Sequence, residues 1–91
     1  MKETKHFNIK ISGQVQGVFF RQSAKEKAEE LELKGFAKNE PDDTVYIEVE
    51  GEEEALKKFI EWCKKGPASA RIEKVEVAEG ENKKFNQFET L

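Results

Sequence analysis

The chain has 91 residues, of which 36% are hydrophobic and 38% charged, and its formal net charge at pH 7 is −3. This length predicts one domain over residues 1–91 with a modest core. No apolar run reaches the roughly 20 residues of a membrane span, and the acidic balance argues against nucleic-acid binding. No signal peptide is visible and Cys63 is the single cysteine, so we expect a cytoplasmic protein, and a monomer at this size.

A strand followed by a glycine-containing loop opens the predicted fold. Residues 5–12 alternate between apolar and polar side chains, which is the period of a half-buried strand. By the same alternation His6, the only histidine, lies on the outward face, where we expect a surface residue without a catalytic role. The loop comes next, and residues 13–21 read Gly-Gln-Val-Gln-Gly-Val-Phe-Phe-Arg.

This loop predicts an anion site. Its two glycines let the backbone bend and let a ligand approach its N–H groups, and the loop enters a helix at the positive end of the helix dipole. Arg21 falls in the first turn of that helix, where a second positive charge is unfavourable unless an anion binds. The alternative is that Arg21 only forms a surface ion pair with a nearby acid such as Glu26 or Glu29. Because a guanidinium grips phosphate through two parallel hydrogen bonds, residues 15–20 with Arg21 indicate a phosphate cradle.

The elements up to the middle of the chain follow from apolar spacing. A helix is predicted over residues 20–31, where apolar side chains recur every three or four positions. Two strands follow over residues 34–39 and 44–50, joined by a turn at 40–43 that contains proline and two aspartates.

The second half of the chain continues the same alternation of elements. A helix is predicted over residues 52–65, because lysines near its end match the helix dipole and Gly66-Pro67 stops it. The strand over residues 70–78 changes the parity of its apolar positions once, which indicates a β-bulge near residue 73 or 74. After a turn at 82–84, residues 85–90 are expected to form a short last strand.

The order βαββαβ(β) predicts a ferredoxin-like α+β sandwich of the split-βαβ type, with a mixed or antiparallel sheet of four or five strands and both helices on one face. Phe20 and Cys63 fall on the inner faces of the two helices, so we expect both to be core residues and the thiol of Cys63 to be inert. Phe19 is expected either to form a wall of the site or to be exposed. No spacing typical of metal ligands occurs, and we expect no metal and no cofactor.

The loop resembles the signature of the acylphosphatase family, through Gly13-x-Val15-Gln16-Gly17-Val18-x-Phe20-Arg21. Weaker matches follow in the family's order and extend the resemblance over nearly the whole chain: Ala28-x-x-Leu31-x-Leu33-x-Gly35-Phe36-x-x-Asn39, Pro41-Asp42, Trp62 before Gly66-Pro67, and Ala70-x-Ile72-x-x-Val75. Two positions depart from the pattern. Glu32 stands where the family often has glycine, so this helix is expected to end differently, and Asp43 stands in place of the hairpin glycine.

The resemblance implies hydrolysis of the carboxyl–phosphate bond of acyl phosphates without a metal or a covalent intermediate. It also implies the site. The phosphoryl group is held by Arg21 and by the backbone N–H groups of Val15, Gln16, Gly17, Val18, Phe19 and Phe20. Asn39 positions the attacking water, although asparagine is also common as an ordinary strand-end residue. Inorganic phosphate, the product, is then an expected inhibitor.

Two other functions use the same order of elements. An RNA-binding module would stack bases on the outward face, but that face offers a single tyrosine, Tyr46, beside Glu48 and Glu50. The other is a non-catalytic acylphosphatase-like module that binds phosphate or carbamoyl phosphate for a partner enzyme. Such modules usually belong to longer chains, and the presence of Arg21 and Asn39 favours an active enzyme.

Overall fold

The computed structural model describes residues 3–91. Five strands and two helices follow one another along the chain as β1 (Thr4–Gln14), α1 (Phe20–Glu30), β2 (Lys34–Asn39), β3 (Val45–Glu52), α2 (Glu53–Lys65), β4 (Arg71–Gly80) and β5 (Phe88–Thr90). The predicted ferredoxin-like α+β fold is confirmed, with the fifth strand present. No helix within residues 3–91 is long and apolar enough to cross a membrane.

The sheet is mixed and has the strand order β4-β1-β3-β2-β5. β1 and β2 each pair antiparallel with β3, and β5 pairs parallel with β2. β1, β2 and β5 therefore run in the same direction, and their C-terminal ends meet at one edge of the sheet. This topology brings the loop after β1, Asn39 and Thr90 to the same edge, although they are far apart in sequence.

The core lies between the sheet and the two helices. α1 buries Phe20, Ala24 and Ala28, whereas α2 buries Leu56, Phe59 and Cys63. They pack against the inward side chains of the sheet, among them Ile9, Ile11, Ile47 and Val49, all of which have no exposed surface. Burial raises the pKa of the Cys63 thiol, so Cys63 is the inert core residue that the sequence predicts.

The predicted β-bulge is present and turns the end of β1 toward the loop. Ser12 lies opposite Lys74 and Gly13 opposite Ile72, so Glu73 is the extra residue of β4. Gly13 has a φ of 129°, and a Cβ there would lie 2.1 Å from the carbonyl oxygen of Arg71. Only glycine allows the two backbones to approach so closely, and bulges of this kind redirect a strand.

The first helix ends in the left-handed conformation even without glycine, so the expectation of a different ending is wrong. Glu32 has a φ of 60°, and its N–H donates to the carbonyl of Glu29 at 3.1 Å. The N–H of Leu33 donates to the carbonyl of Ala28 at 2.8 Å. These two bonds form a Schellman motif. The left-handed conformation costs a non-glycine residue about 1 kcal/mol, and the hydrogen bonds to the last helical carbonyls outweigh that cost.

We expect Glu32→Gly to raise the free energy of unfolding by about 0.5 kcal/mol, because relief of the left-handed strain exceeds the extra freedom glycine gives the unfolded chain. Urea denaturation measures the change. The matched control is Glu29→Gly inside α1, where glycine should instead destabilise by about 1 kcal/mol. Destabilisation by Glu32→Gly would mean that the side chain of Glu32 contributes more than its backbone strain costs.

His6 lies on the outward face of the sheet as predicted, but it is 1% exposed, so its assignment as a surface residue is wrong. Its Nδ1 lies 2.7 Å from Oε2 of Glu50, and its Nε2 lies 2.9 Å from Oδ1 of Asn8 and 3.1 Å from Oε1 of Glu48. The ring of Phe85 stacks over the imidazole with 5.9 Å between centroids. Alternation of side chains cannot reveal this burial, because the covering residue comes from a segment remote in sequence.

Residues 83–85, before β5, are held against this outward face by hydrogen bonds to the carboxylates of Glu48 and Glu50. Nζ of Lys83 donates to Oε1 of Glu48 at 2.8 Å, and the N–H groups of Lys83 and Phe85 both donate to Glu50. Burial alone would raise the pKa of Glu50, but these hydrogen bonds and that of His6 hold the pKa below its ordinary value. Because these amides bond to a side chain rather than to a neighbouring strand, β5 is shorter than the predicted 85–90.

Candidate active site

A cavity of about 310 Å³ lies at the edge where β1, β2 and β5 end. It is lined by residues of the loop, of the start of α1 and of the ends of β2 and β5: Val15, Gly17, Phe19, Phe20, Arg21, Gln22, Asn39 and Thr90. Four of the six loop residues proposed from the sequence line it, together with both proposed catalytic side chains. Gln16 and Val18 do not line it, because their side chains turn toward the rest of the protein.

The backbone amides of the loop and of the first turn of α1 are available to an anion. None of the turn and loop hydrogen bonds within residues 3–91 uses an N–H of residues 16–20 as donor, and the N-cap Phe19 makes no side-chain capping bond. The first turn of α1 carries no acidic residue, whereas that of α2 carries Glu53 and Glu54. Acidic side chains of the protein thus compensate the positive end of the helix dipole at α2. At α1 no acidic side chain of the first turn does so, and a bound anion could take this role.

The loop is anchored through its side chains and two of its carbonyls, those of Val18 and Phe19, which leaves its N–H groups free. Val15 and Phe20 are 2% and 1% exposed and belong to the core, and Val18 packs against it. The carbonyl of Val18 accepts a hydrogen bond from Oγ of Ser69 at 3.1 Å. Gly17 has a φ of 73°, and a Cβ there would meet no atom within 4 Å, so the space above it is open to a ligand.

Gln16 ties the loop to the hairpin that follows Asn39. Its Nε2 donates to the carbonyl of Glu40 at 2.8 Å and to the carbonyl of Thr44 at 2.9 Å. The N–H of Glu40 also donates to the carbonyl of Thr44, at 2.8 Å, which closes the hairpin. One amide group therefore fixes the distance between the loop and the end of β2.

We expect Gln16→Leu to lower kcat about tenfold and the free energy of unfolding by about 2 kcal/mol, because two hydrogen bonds are lost and Asn39 is free to shift relative to the loop. Steady-state kinetics and urea denaturation measure both quantities. Gln16→Glu is the matched control. It keeps the shape but directs oxygens at two carbonyls, so it should impair the protein at least as much as leucine; a harmless Gln16→Glu would contradict this role.

Arg21 is held at the cavity by Leu91, the residue that follows β5. Its Nη1 donates to the main-chain oxygen of Leu91. Within residues 3–91, Arg21 forms no ion pair with Glu26 or Glu29, so the alternative role of a surface ion pair does not apply. The guanidinium is only partly buried. A guanidinium has five N–H donors, so the remaining ones are available to an anion in the cavity.

Asn39 is exposed at the end of β2, and its side-chain amide forms no hydrogen bond within residues 3–91. The turn beside it is held by Asp42, whose Oδ1 accepts from the hydroxyl of Thr44 at 2.6 Å and from its N–H at 3.2 Å. These bonds, with Lys10, lower the pKa of Asp42 to about 2. The turn therefore keeps its stabilising charge at neutral pH and loses it only as the pH falls through that value.

Two cavity residues, Gln22 and Thr90, are not among the residues proposed from the sequence. Gln22 follows Arg21 directly in the first turn of α1, so helix geometry around the proposed site could have predicted that it lines the cavity. Thr90 reaches the cavity because β5 pairs with β2, placing Thr90 opposite Ala37. No local pattern in the sequence predicts that pairing.

The chemical character of the cavity is that of an anion site without a protein base. Among residues 3–91, Arg21 is the only ionisable side chain that lines it, and no carboxylate, histidine, lysine or cysteine does so. Within residues 3–91, no group of three or more acidic, histidine or cysteine side chains has the arrangement of a metal site. The fold and the cavity together define the class of protein, a small ferredoxin-like domain with a cavity formed by a loop, a helix N-terminus and an arginine.

The comparisons with known proteins identify the family within that class. A sequence profile named Acylphosphatase matches residues 7–90. An acylphosphatase of Rubrobacter xylanophilus is 46% identical over 78 residues, which cover 86% of this chain and 71% of the relative. The chain belongs to the acylphosphatase family. The resemblance seen in the sequence is thereby confirmed, and so is the assignment to the acylphosphatase hydrolases.

Solved structures give the same result for the fold. An acylphosphatase from Coxiella burnetii is similar with a TM-score of 0.94 at 34% identity, over 97% of this chain and 93% of that one. The full-length protein HypF, in a phosphate- and nucleotide-bound form, is similar with a TM-score of 0.94 at 35% identity. The match covers 100% of this chain and 12% of HypF, so this fold also occurs as a small part of a much longer protein.

Proposed function

We propose that this chain hydrolyses acyl phosphates to a carboxylate and inorganic phosphate, with the phosphoryl group bound by Arg21 and the backbone N–H groups of residues 15–20. The proposal rests on one observation: free backbone amides, an uncapped helix N-terminus and a guanidinium surround the same cavity. Phosphoryl transfer is mainly a matter of positioning and charge stabilisation, and these donors supply both.

Asn39 is the proposed water-positioning residue. Its side-chain carbonyl accepts a hydrogen bond from water and its NH₂ group donates one, so it orients a nucleophile without removing its proton. Because the cavity lining holds no general base, the proton of the water passes to an oxygen of the substrate's phosphoryl group. The leaving group is a carboxylate, which departs without a protein acid.

A pH–rate profile tests the absence of a protein base. We expect kcat to stay constant within about twofold between about pH 5.5 and pH 8, once the substrate is in a single ionisation state. His6→Gln is the control for the only histidine, and its profile should have the same shape as that of the wild type. A limb with a near-neutral pKa that disappears in His6→Gln would contradict this mechanism.

The second candidate function is a non-catalytic module that binds phosphate or a related compound for a partner enzyme. The similarity to HypF favours it, because there the matched part is 12% of a longer chain bound to phosphate and nucleotide. The two candidates share the cavity and differ in whether Asn39 holds a reactive water.

We also propose that residues 1–91 act as one domain and as a monomer in the cytoplasm. Within residues 3–91, the large apolar side chains that are exposed are Phe19, Val77 and Leu91. Phe19 lines the cavity, and Val77 lies on the edge strand β4. Inorganic phosphate, as the product, should occupy the same cavity and inhibit competitively.

Phosphate release from benzoyl phosphate, with a chelator present, tests the proposed function. Turnover that continues unchanged in chelator supports metal-independent hydrolysis. If no turnover occurs while inorganic phosphate still raises the Tm, the cavity is a binding site and the module function replaces the enzyme. If phosphate neither inhibits nor stabilises, the placement of the site at this cavity is wrong.

A further inference from the structure

Phe19 is the most conspicuous apolar side chain outside the core. It is 80% exposed, more than Val77 at 42% or Leu91 at 57%. It lines the cavity two residues before Arg21. No ring contact within residues 3–91 includes it, whereas its neighbour Phe20 packs against Trp62 with 5.3 Å between ring centroids. Within residues 3–91, the ring of Phe19 therefore has no aromatic partner and is mostly open to solvent.

The backbone of Phe19 is strained as well. Its φ of 61° and ψ of 24° are left-handed, a region that bulky side chains rarely adopt and that glycine adopts freely. Two residues earlier the loop meets the same requirement with Gly17, whose φ is 73°. A phenylalanine at residue 19 thus exposes a large apolar surface and carries a backbone strain that glycine would relieve, and strain of this kind clusters at functional sites.

An acyl phosphate has a second part that the phosphate cradle does not hold, its acyl group. In an in-line displacement the leaving carboxylate lies on the side of the phosphorus opposite to the attacking water, so the acyl group points away from the water that Asn39 orients. The polar groups of the cavity are then taken up by the phosphoryl group and the water. Among the lining residues, Phe19 is the one that offers an exposed aromatic surface to an apolar acyl group.

We propose that Phe19 is a specificity-determining residue, whose ring contacts the acyl group and makes acyl phosphates with aromatic or large apolar acyl groups better substrates than those with small ones. This inference rests on the proposed function, since it concerns the leaving group of the same reaction. It defines the substrate class as apolar acyl phosphates. The ring contacts the acyl group and not the phosphoryl group, which is common to all substrates. Loss of the contact should therefore change the ratio of the kcat/KM values for two acyl phosphates.

The test compares kcat/KM for benzoyl phosphate with kcat/KM for acetyl phosphate in the wild type, Phe19→Ala, Phe19→Gly and Phe19→Tyr. Alanine and glycine both remove the ring, but glycine also relieves the backbone strain, so these two variants affect the stability of the loop in opposite directions. We expect the benzoyl-to-acetyl ratio to fall about fivefold in both and to stay within about twofold of the wild type in Phe19→Tyr.

The possible results separate this inference from the function on which it rests. A wild type that hydrolyses both substrates, with an unchanged ratio in Phe19→Ala and Phe19→Gly, overturns the acyl contact and leaves the hydrolase intact. Equal loss on both substrates in Phe19→Ala with full recovery in Phe19→Gly also overturns it, because the residue would then act through the loop backbone alone. A wild type that hydrolyses neither substrate overturns the proposed function and this inference with it.

Discussion

Arg21→Ala is expected to lower kcat/KM for an acyl phosphate by about 10³- to 10⁴-fold while the protein stays folded. In the described part of the chain, the guanidinium is the single ionisable group that lines the cavity, so it is the main source of full positive charge for the phosphoryl oxygens. Its Nη1 bonds to the main-chain oxygen of Leu91, an exposed residue after β5, and the loss of such an exposed bond has little effect on stability. Phosphate-release assays and urea denaturation measure the two effects separately.

Two further variants show whether charge or geometry is responsible. Arg21→Lys keeps the charge but loses the planar pair of donors, so we expect an intermediate loss of about 10²-fold. Arg71→Ala removes the only other arginine, an exposed residue at the start of β4, and should leave kcat/KM within about twofold of the wild type. Inorganic phosphate should raise the Tm of the wild type and of Arg71→Ala but not that of Arg21→Ala. Activity that survives Arg21→Ala would mean that the reaction occurs elsewhere.

Asn39→Ala is expected to lower kcat about 10²- to 10³-fold with KM changed by less than about threefold. The residue is proposed to orient water and not to bind the phosphoryl group, so its loss affects the reaction step more than substrate binding. Stability should not change beyond about 0.5 kcal/mol, since the side chain is exposed and forms no hydrogen bond within residues 3–91. Steady-state kinetics with an acyl phosphate and denaturation of the same preparation measure these quantities.

The control for this substitution is Asn86→Ala. Asn86 is an exposed asparagine in the segment before β5 and does not line the cavity, so its loss should leave kcat unchanged. The isosteric variant Asn39→Asp adds a negative charge beside the bound anion and should raise KM as well as lower kcat. A rise in KM without a fall in kcat for Asn39→Ala would contradict the water-positioning role and assign the residue to substrate binding.

Much of this molecule is predictable from its sequence because its signals are local. The apolar period of each strand and helix, the helix stop at Gly66-Pro67 and the parity change at Glu73 each depend on a few neighbouring residues. The loop at 13–21 is similarly compact, since its glycines and Arg21 are adjacent in sequence. The order of these elements then leaves few topologies, and the ferredoxin-like one brings the loop and Asn39 to the same edge.

The features that the sequence does not reveal depend on contacts between distant segments. His6 is buried because Phe85 covers it, and β5 is shortened because amides near residue 85 bond to Glu50. Thr90 enters the cavity through a parallel pairing that has no local signature. The exposure and left-handed backbone of Phe19 likewise follow from the path of the folded loop, which no periodic pattern encodes.

Isotope labelling distinguishes attack of water on the phosphorus atom of a bound acyl phosphate from attack on its acyl carbon. Benzoyl phosphate is hydrolysed by the wild type in ¹⁸O-labelled water, and both products are analysed by mass spectrometry. Attack on phosphorus places the label in inorganic phosphate and leaves the benzoate unlabelled, and this is the result that we expect. Label in the benzoate would show that water attacks the acyl carbon, and neither the phosphate cradle nor the role of Asn39 would then stand as described.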